Sequence, residues 1–331
     1  MPIFNQVVQG GGGSGPAYYI EYALNAQNEL VKKPNTFIDL TGVTKIGPSA
    51  FPYMYQNQSS NTALAGVLNL PNITECYGFY YTFQNCTQIT GLNMPALVKL
   101  GGSGYAFYGC SNLETINMDN LEEITSDCSR MFVSTKITVV GFPSLKKANA
   151  YNGMYEWFGS CSRLVCIYFQ SLNKINQSSV LSRFCQSCTS LQSIWFYALD
   201  TNSFGSYYTT QFTNMFSSSV TGCTIHFPKN LDPQTGDTTI SGLNGYPNFG
   251  GTNTVLLFDI VTSLTGADGN TYTRSEKDST STATAWTYND TLYYTSGVSN
   301  NTAGVNEPSV SDAIYSDAAC TTSVTTITAI A

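Results

Sequence analysis

The sequence predicts a repeat solenoid of about eight rungs, each a short strand joined to a helical or turn segment, followed by a small all-β domain. Three observations predict it. The stretch "YAFYGCSNLETINMDNLEEI" at 105–124 returns 24 residues earlier as "YTFQNCTQITGLNMPALVKL" and later as "WFGSCSRLVCIYFQSLNKI". A column of paired apolar residues runs through the chain at Ile38/Leu40, Leu68/Leu70, Leu92/Met94, Ile116/Met118, Val140/Phe142, Ile167/Phe169, Ile194/Phe196 and Ile225/Phe227, in steps of 30, 24, 24, 24, 27, 27 and 31 residues. Units of that length cannot bury an apolar face alone and stack on their neighbours. Beyond about residue 254 the composition turns to Thr, Ser, Asp and Gly with alternating apolar positions, the pattern of short hairpins.

Residues 1–16 form an N-terminal attachment segment ending in the flexible joint "GGGGSGP". The stretch 17–35 is a strand-turn-strand cap. The array occupies 36–231. Each rung opens on an aromatic helical or turn stretch ("YYTFQNC", "YAFYGC", "YEWFGSC"), continues as a strand through Leu-x-x-Ile-x-Met, and turns at Pro71, Pro95, Pro143 or Pro228. Alternation along the strand sends Ile116 and Met118 inward and Thr115, Asn117 and Asp119 outward. Residues 232–253, rich in Pro, Gly and Asn, cap the last rung, and 254–331 form the Ser/Thr-rich β-domain, with "ADGN" at 267–270 as a turn.

Of the ten cysteines, Cys86, Cys110, Cys161 and Cys188 recur once per rung, Cys223 is slightly out of phase, and Ser134 takes the slot in the fourth turn. A residue type recurring once per rung faces one interior spot, so reduced buried thiols are expected rather than a disulfide framework. The single CxxC, Cys185 and Cys188, has no second pair at zinc spacing, and no metal or other cofactor is expected.

Only 11% of the 331 residues are charged, with 14 Lys and Arg against 21 Asp and Glu, so a nucleic-acid backbone is not the expected partner. No apolar stretch is long enough for membrane insertion. The start lacks the basic and apolar regions of a secretory signal. Catalysis is not expected either: His226 is the only histidine, and no nucleophile with an orienting partner lies near it in sequence. The excess is instead aromatic, 22 Tyr and 18 Phe, a palette suited to neutral polar ligands or protein surfaces.

With those columns in place, "AFYGCSNLETINMDNLEEI" resembles the BspA-like leucine-rich repeat, whose rungs carry Ala-Phe-x-x-Cys-x-x-Leu-x-x-Ile-x-Leu-Pro-x-x-Leu-x-x-Ile. The resemblance departs at "MFVSTKIT" and over 200–222. It implies a leucine-rich repeat solenoid used for adhesion to proteins, glycans or cell surfaces. The Gly-rich opening, "CTIHFPKNL", "GYPNFGGTNTVLLFDI" and the tail "EPSVSDAIYSDAACTTSVTTITAIA" are similar to segments flanking such repeats in tail-fibre-like proteins of gut phages and prophages. That similarity implies a virion protein released by lysis, docked to other tail proteins through its N-terminal segment and contacting a bacterial cell-surface protein or glycan. A structural spacer of the virion and a bacterial cell-surface adhesin are the alternatives.

The outward column between the paired apolar residues reads Asp39, Asn69, Asn93, Asn117, Gly141, Tyr168, Trp195, His226. Its first half is small and polar; Asn69, Asn93 and Asn117 are either an exposed polar ladder or solvated strand surface. Its last three members are large and flat and are joined by Gln170 and Tyr197. Stacked at about 4.8 Å they form one stripe. Exposed on a concave face, Tyr168, Gln170, Trp195, Tyr197 and His226 would be a platform for sugar faces or a partner's pockets. Covered by the cap or the C-terminal domain, they would be ordinary core.

Overall fold

A computed structural model describes residues 4–9, 19–24, 29–30, 40, 42–48, 50–59, 64–200, 202–204, 212–231, 249–252, 255–275, 283–296, 308, 311–316 and 318–330. The glycine joint at 10–16, Ile38 and Asp39 of the columns, and most of the 232–253 cap lie outside them.

Seven of the eight column pairs sit on or directly beyond short parallel strands. Strands β5 (Gly66–Asn69), β7 (Ile89–Asn93) and β9 (Thr115–Asn117) form one sheet. A second continues with β11 (Val139–Gly141), β13 (Cys166–Phe169), β14 (Ser193–Phe196), β15 (Thr224–Pro228) and β16 (Val255–Ile260). Register is fixed by the apolar pairs: Ile167 lies beside Ile194 and Ile194 beside Ile225. A one-residue slip would turn every one of them out of the core.

A second wall consists of two-residue strands: β4 (Lys45–Ile46), β6 (Glu75–Cys76), β8 (Lys99–Leu100), β10 (Glu123–Ile124) and β12 (Lys147–Ala148). On the N-terminal side this sheet is extended by β3 (Glu29–Leu30), β2 (Tyr19–Leu24) and β1 (Phe4–Gln9), with β1 and β2 antiparallel. The N-terminal segment thus adds strands to the solenoid sheet. The first position of each short strand forms a ladder that alternates in charge: Glu29, Lys45, Glu75, Lys99, Glu123, Lys147. Lys45 and Glu75 close to 3.3 Å, and such cross-strand pairs contribute about 0.2–1 kcal/mol each. The second position is buried throughout: Ile46, Cys76, Leu100, Ile124 and Ala148.

The third wall is the aromatic stretch. A helical or turn segment was expected there; the structure has turns, and among the described residues helix is confined to short 3-10 turns such as Lys229–Leu231. The cause lies in the backbone donors. Alternate N–H groups in each stretch reach across to the next rung: Tyr81 to Gly104, Phe83 to Ala106 and Asn85 to Tyr108, then Tyr105 to Ser129 and Phe107 to Met131. Those donors are no longer free for a carbonyl four residues back, so an α-helix cannot form. The geometry instead places two residues four apart at positive φ in each stretch, as in Tyr81 and Asn85, Arg130 and Ser134, or Glu156 and Ser160. A non-glycine residue there costs about 1–2 kcal/mol, which inter-rung hydrogen bonds and ring stacking offset.

Inside, aromatic rings stack rung on rung. Tyr55, Phe83, Phe107, Phe132 and Phe158 run with centroids 5.2–5.8 Å apart and near-parallel planes. Phe142, Phe169, Phe196 and Phe227 form a second file. Beside the first file runs the thiol column. The Sγ of Cys86, Cys110, Cys161 and Cys188 donates to the carbonyls of Tyr55, Phe83, Phe132 and Phe158 at 2.8–3.1 Å. In the fourth turn Thr135, rather than Ser134, fills the slot; its hydroxyl lies 3.2 Å from Cys161 Sγ. All ten cysteines are free thiols and nine are buried.

After β16 the chain enters a closed barrel of β17 (Ser263–Gly266), β18 (Thr271–Arg274), β19 (Ala283–Tyr288), β20 (Thr291–Ser296), β21 (Ala313–Tyr315) and β22 (Ser323–Ile330). The barrel therefore begins at Ser263, whereas Val255–Ile260, which the sequence places in the β-domain, completes the solenoid sheet. Leu264, Tyr272, Trp286, Ile314 and Ile327 fill the barrel interior. The β17–β18 turn at 267–270 has Gly269 at φ +80°, and Asp268 accepts from the Asn270 N–H and the Tyr272 hydroxyl.

Candidate functional site

The structure brings the sequence-predicted stripe together and covers it. Parallel pairing sets Tyr168 beside Trp195 and Trp195 beside His226. Trp195 and His226 stack with centroids 3.3 Å apart and planes within 3°. Trp195, Tyr197 and His226 are 4%, 3% and 8% exposed. Trp195 and Tyr197 pack with Cys166 and Ile260, the last residue of β16, and Tyr168 packs on that cluster. The Arg274 guanidinium of the barrel lies 5.1 Å from the Tyr197 ring centre. Of the two arrangements open to the sequence, the covered one is realised at Trp195, Tyr197 and His226, so these rings present no platform to a ligand. Tyr168 is half-buried, its ring lying where a Cβ on Gly141 would be. Gln170 is half-buried as well.

At the other end of the same column the three asparagines form a ladder. Asn93 Nδ2 donates to Asn69 Oδ1 at 2.7 Å, and Asn117 Nδ2 to Asn93 Oδ1 at 2.9 Å. The amides bond to one another along the column, Asn93 and Asn117 half-buried and Asn69 exposed at its end.

A second aromatic surface lies on the turn wall. Positive φ at Tyr53, Tyr81, Tyr105, Arg130, Glu156 and Arg183 turns that position of every rung outward. Tyr53, Tyr81 and Tyr105 stack in file, with centroids 5.1 and 4.3 Å apart. Tyr80 sets its edge against both Tyr53 and Tyr81. The file ends in charge: Arg130 lies over Tyr105 and Tyr155, donates to the Tyr105 hydroxyl, and pairs with Glu156 at 2.8 Å. Tyr53 is 47% and Tyr80 41% exposed. The rings face one another along the file; Tyr81 and Tyr105 are half-buried, and the Tyr105 hydroxyl is engaged by Arg130. Burial, then the neighbouring Tyr105 and Tyr80, push the Tyr81 phenol up, so it remains a protonated donor at neutral pH. Beside the file run amides, with Gln56 bonded to Gln84 and Asn85 to Asn57 at 2.7 Å. The repeated outward position was readable in the sequence as Tyr53, Tyr81 and Tyr105, but only the positive-φ turns make it face solvent.

A third feature is a cleft of about 240 Å³ between the last strands of the solenoid and the barrel, lined by Gln170, Tyr197, Asp200, Thr262, Thr273 and Arg274 among others. Arg274 is fixed there between Tyr197 and Trp286, its Nη1 donating to the Val261 carbonyl at 2.9 Å.

Burial pushes the Cys76, Cys161 and Cys223 thiols up to about 12 and Cys86 to about 11, so they are poor nucleophiles at neutral pH.

Compared with known families, the chain matches the one described as BspA type leucine-rich repeat region in six copies, over residues 34–156 and 79–215, together more than half its length. No curated protein and no solved structure matches.

Proposed function

Because this chain belongs to the BspA-type leucine-rich repeat family, commonly adhesion and recognition modules, we propose that it is a non-enzymatic recognition protein of a phage tail. In this reading the N-terminal segment docks to other virion proteins and the solenoid contacts a bacterial cell-surface protein or glycan. The observation that carries the recognition reading is the tyrosine–arginine file on the turn wall. Tyr and Arg are the residues in which interface binding energy concentrates. Here they are held in one geometry before any partner arrives, by inter-rung hydrogen bonds and stacking, so little side-chain freedom is lost on contact. The buried, stacked His226 and the protonated thiols support a role without catalysis. The virion placement is supported by the flanking segments similar to those of tail-fibre-like proteins.

The test is binding of the purified chain to intact gut bacteria and to a glycan array, beside a Tyr53→Ser/Tyr80→Ser variant. Tyr53 and Tyr80 are 47% and 41% exposed, and an unchanged melting temperature is the condition for reading the variant. Each substitution removes a contact worth about 2 kcal/mol, which predicts at least a 100-fold loss of affinity. Binding that survives in the folded variant removes recognition from the turn wall, and absence of binding by the native chain leaves the solenoid as a spacer.

A further inference from the structure

We infer that the cleft between the solenoid and the barrel is a second binding site, for one neutral, hydroxyl-rich ring: a single sugar residue. This does not rest on the reading of the tyrosine file, which lies on another wall.

The cleft is built by two modules. Gln170, Tyr197 and Asp200 come from the strand ends and following turns of the solenoid, and Thr262, Thr273 and Arg274 from the entry to the barrel. Their polar groups are held in place. Asp200 Oδ1 accepts from the Asn202 N–H at 2.9 Å and the Ser203 hydroxyl at 3.0 Å, which fixes the carboxylate. Arg274 is gripped by two rings and the Val261 carbonyl. Such fixed groups define a ligand's orientation at small entropic cost.

One group requires a partner. The amide oxygen of Gln170 is shielded from bulk solvent and accepts no hydrogen bond among the described residues. A buried acceptor left unmade is costly; the broad terminal torsion of the glutamine lets the amide turn toward the cleft, where a ligand hydroxyl donating to it relieves that cost.

The charges narrow the ligand further. Asp200 disfavours an anion and Arg274 disfavours a cation, whereas a neutral molecule bearing both donors and acceptors suits both. Two threonine hydroxyls, each able to donate and accept, match alternating ring hydroxyls. A volume of about 240 Å³ lies below that of pockets for drug-sized ligands. It admits one ring and not a chain. The sugar would arrive either free or as the terminal residue of a glycan.

Saturation-transfer NMR on the full chain tests this, with glucose, galactose, mannose and N-acetylglucosamine as free probes. Oligosaccharides carrying the same residue at the terminus or internally form the second arm. Sialic acid serves as the charged control. The expected result is binding of at least one neutral sugar, with terminal and free residues accepted and internal ones refused. Gln170→Leu and Thr273→Val, each with an unchanged melting temperature, weaken it at least tenfold, while Tyr53→Ser/Tyr80→Ser leaves it unchanged. No neutral sugar bound at millimolar concentration, preference for sialic acid, or binding that both cleft variants retain overturns the inference. Loss confined to the Tyr53→Ser/Tyr80→Ser variant would assign the sugar to the turn wall and equally overturn it.

Discussion

Raising the pH from 7.5 to 10 under reducing conditions should strongly destabilise the solenoid, because four of its buried thiols ionise only in the unfolded chain. Cys76, Cys161 and Cys223 are pushed to about 12 and Cys86 to about 11 from a reference of 9.0, in each case chiefly by burial. The folded values are raised, so these thiols leave stability unchanged below pH 9, where both states are protonated. Above it the unfolded chain releases protons that the folded chain keeps, and stability falls by about 1.4 kcal/mol per thiol per pH unit. At pH 10 each thiol therefore costs on the order of 1 kcal/mol, and these four together several kcal/mol. That is comparable with the 5–15 kcal/mol of a whole domain. The assay is the urea midpoint by circular dichroism at pH 7.5, 9 and 10. A Cys161→Ala variant, less stable at every pH, should show a shallower fall. A midpoint unchanged between pH 7.5 and 10 would refute the reasoning. So would rapid reaction of more than Cys320, the one thiol not buried, with a thiol reagent in the native protein at pH 8.

Three other substitutions probe the packing. Asn93→Ala removes the donor to Asn69 and the acceptor for Asn117; two hydrogen bonds at about 1 kcal/mol each predict a melting point lower by several degrees, read by calorimetry. Gly141→Ala puts a methyl group where the Tyr168 ring lies and should destabilise by about 1–3 kcal/mol, a loss largely removed in a Tyr168→Ala background when the double-mutant cycle is measured by urea unfolding. Arg274→Ala removes the side chain that Tyr197 and Trp286 grip; limited proteolysis should then cut between the solenoid and the barrel many times faster, with the solenoid's own melting point little changed.

The solenoid was legible wherever one residue type must return to one interior spot. The Phe83–Phe107–Phe132–Phe158 file, the thiols and the Ile167–Ile194–Ile225 register all follow from a period imposed by stacking. The slot of Thr135 was misread by one residue because rung length changes there, so a count carried from Cys110 lands on Ser134. The short strands from Lys45–Ile46 to Lys147–Ala148 escaped notice because two residues show no alternation. The outward turn of Tyr53, Tyr81 and Tyr105 depends on positive φ, which residue type alone does not announce when the residue is tyrosine. Burial of Trp195 and Tyr197 depends on where β16 and the barrel pack, a long-range outcome that no local pattern encodes.

The charge ladder from Glu29 to Lys147 has a consequence for how such a chain can change in length. Deleting any one internal rung would bring lysine beside lysine or glutamate beside glutamate across the gap, while deleting two adjacent rungs would restore opposition. The ladder is thus a parity rule written in charge, under which rungs are gained or lost without penalty only in pairs. Its alternation stops at the lone bridge from Lys147 to Lys174, where the run of paired two-residue strands also ends.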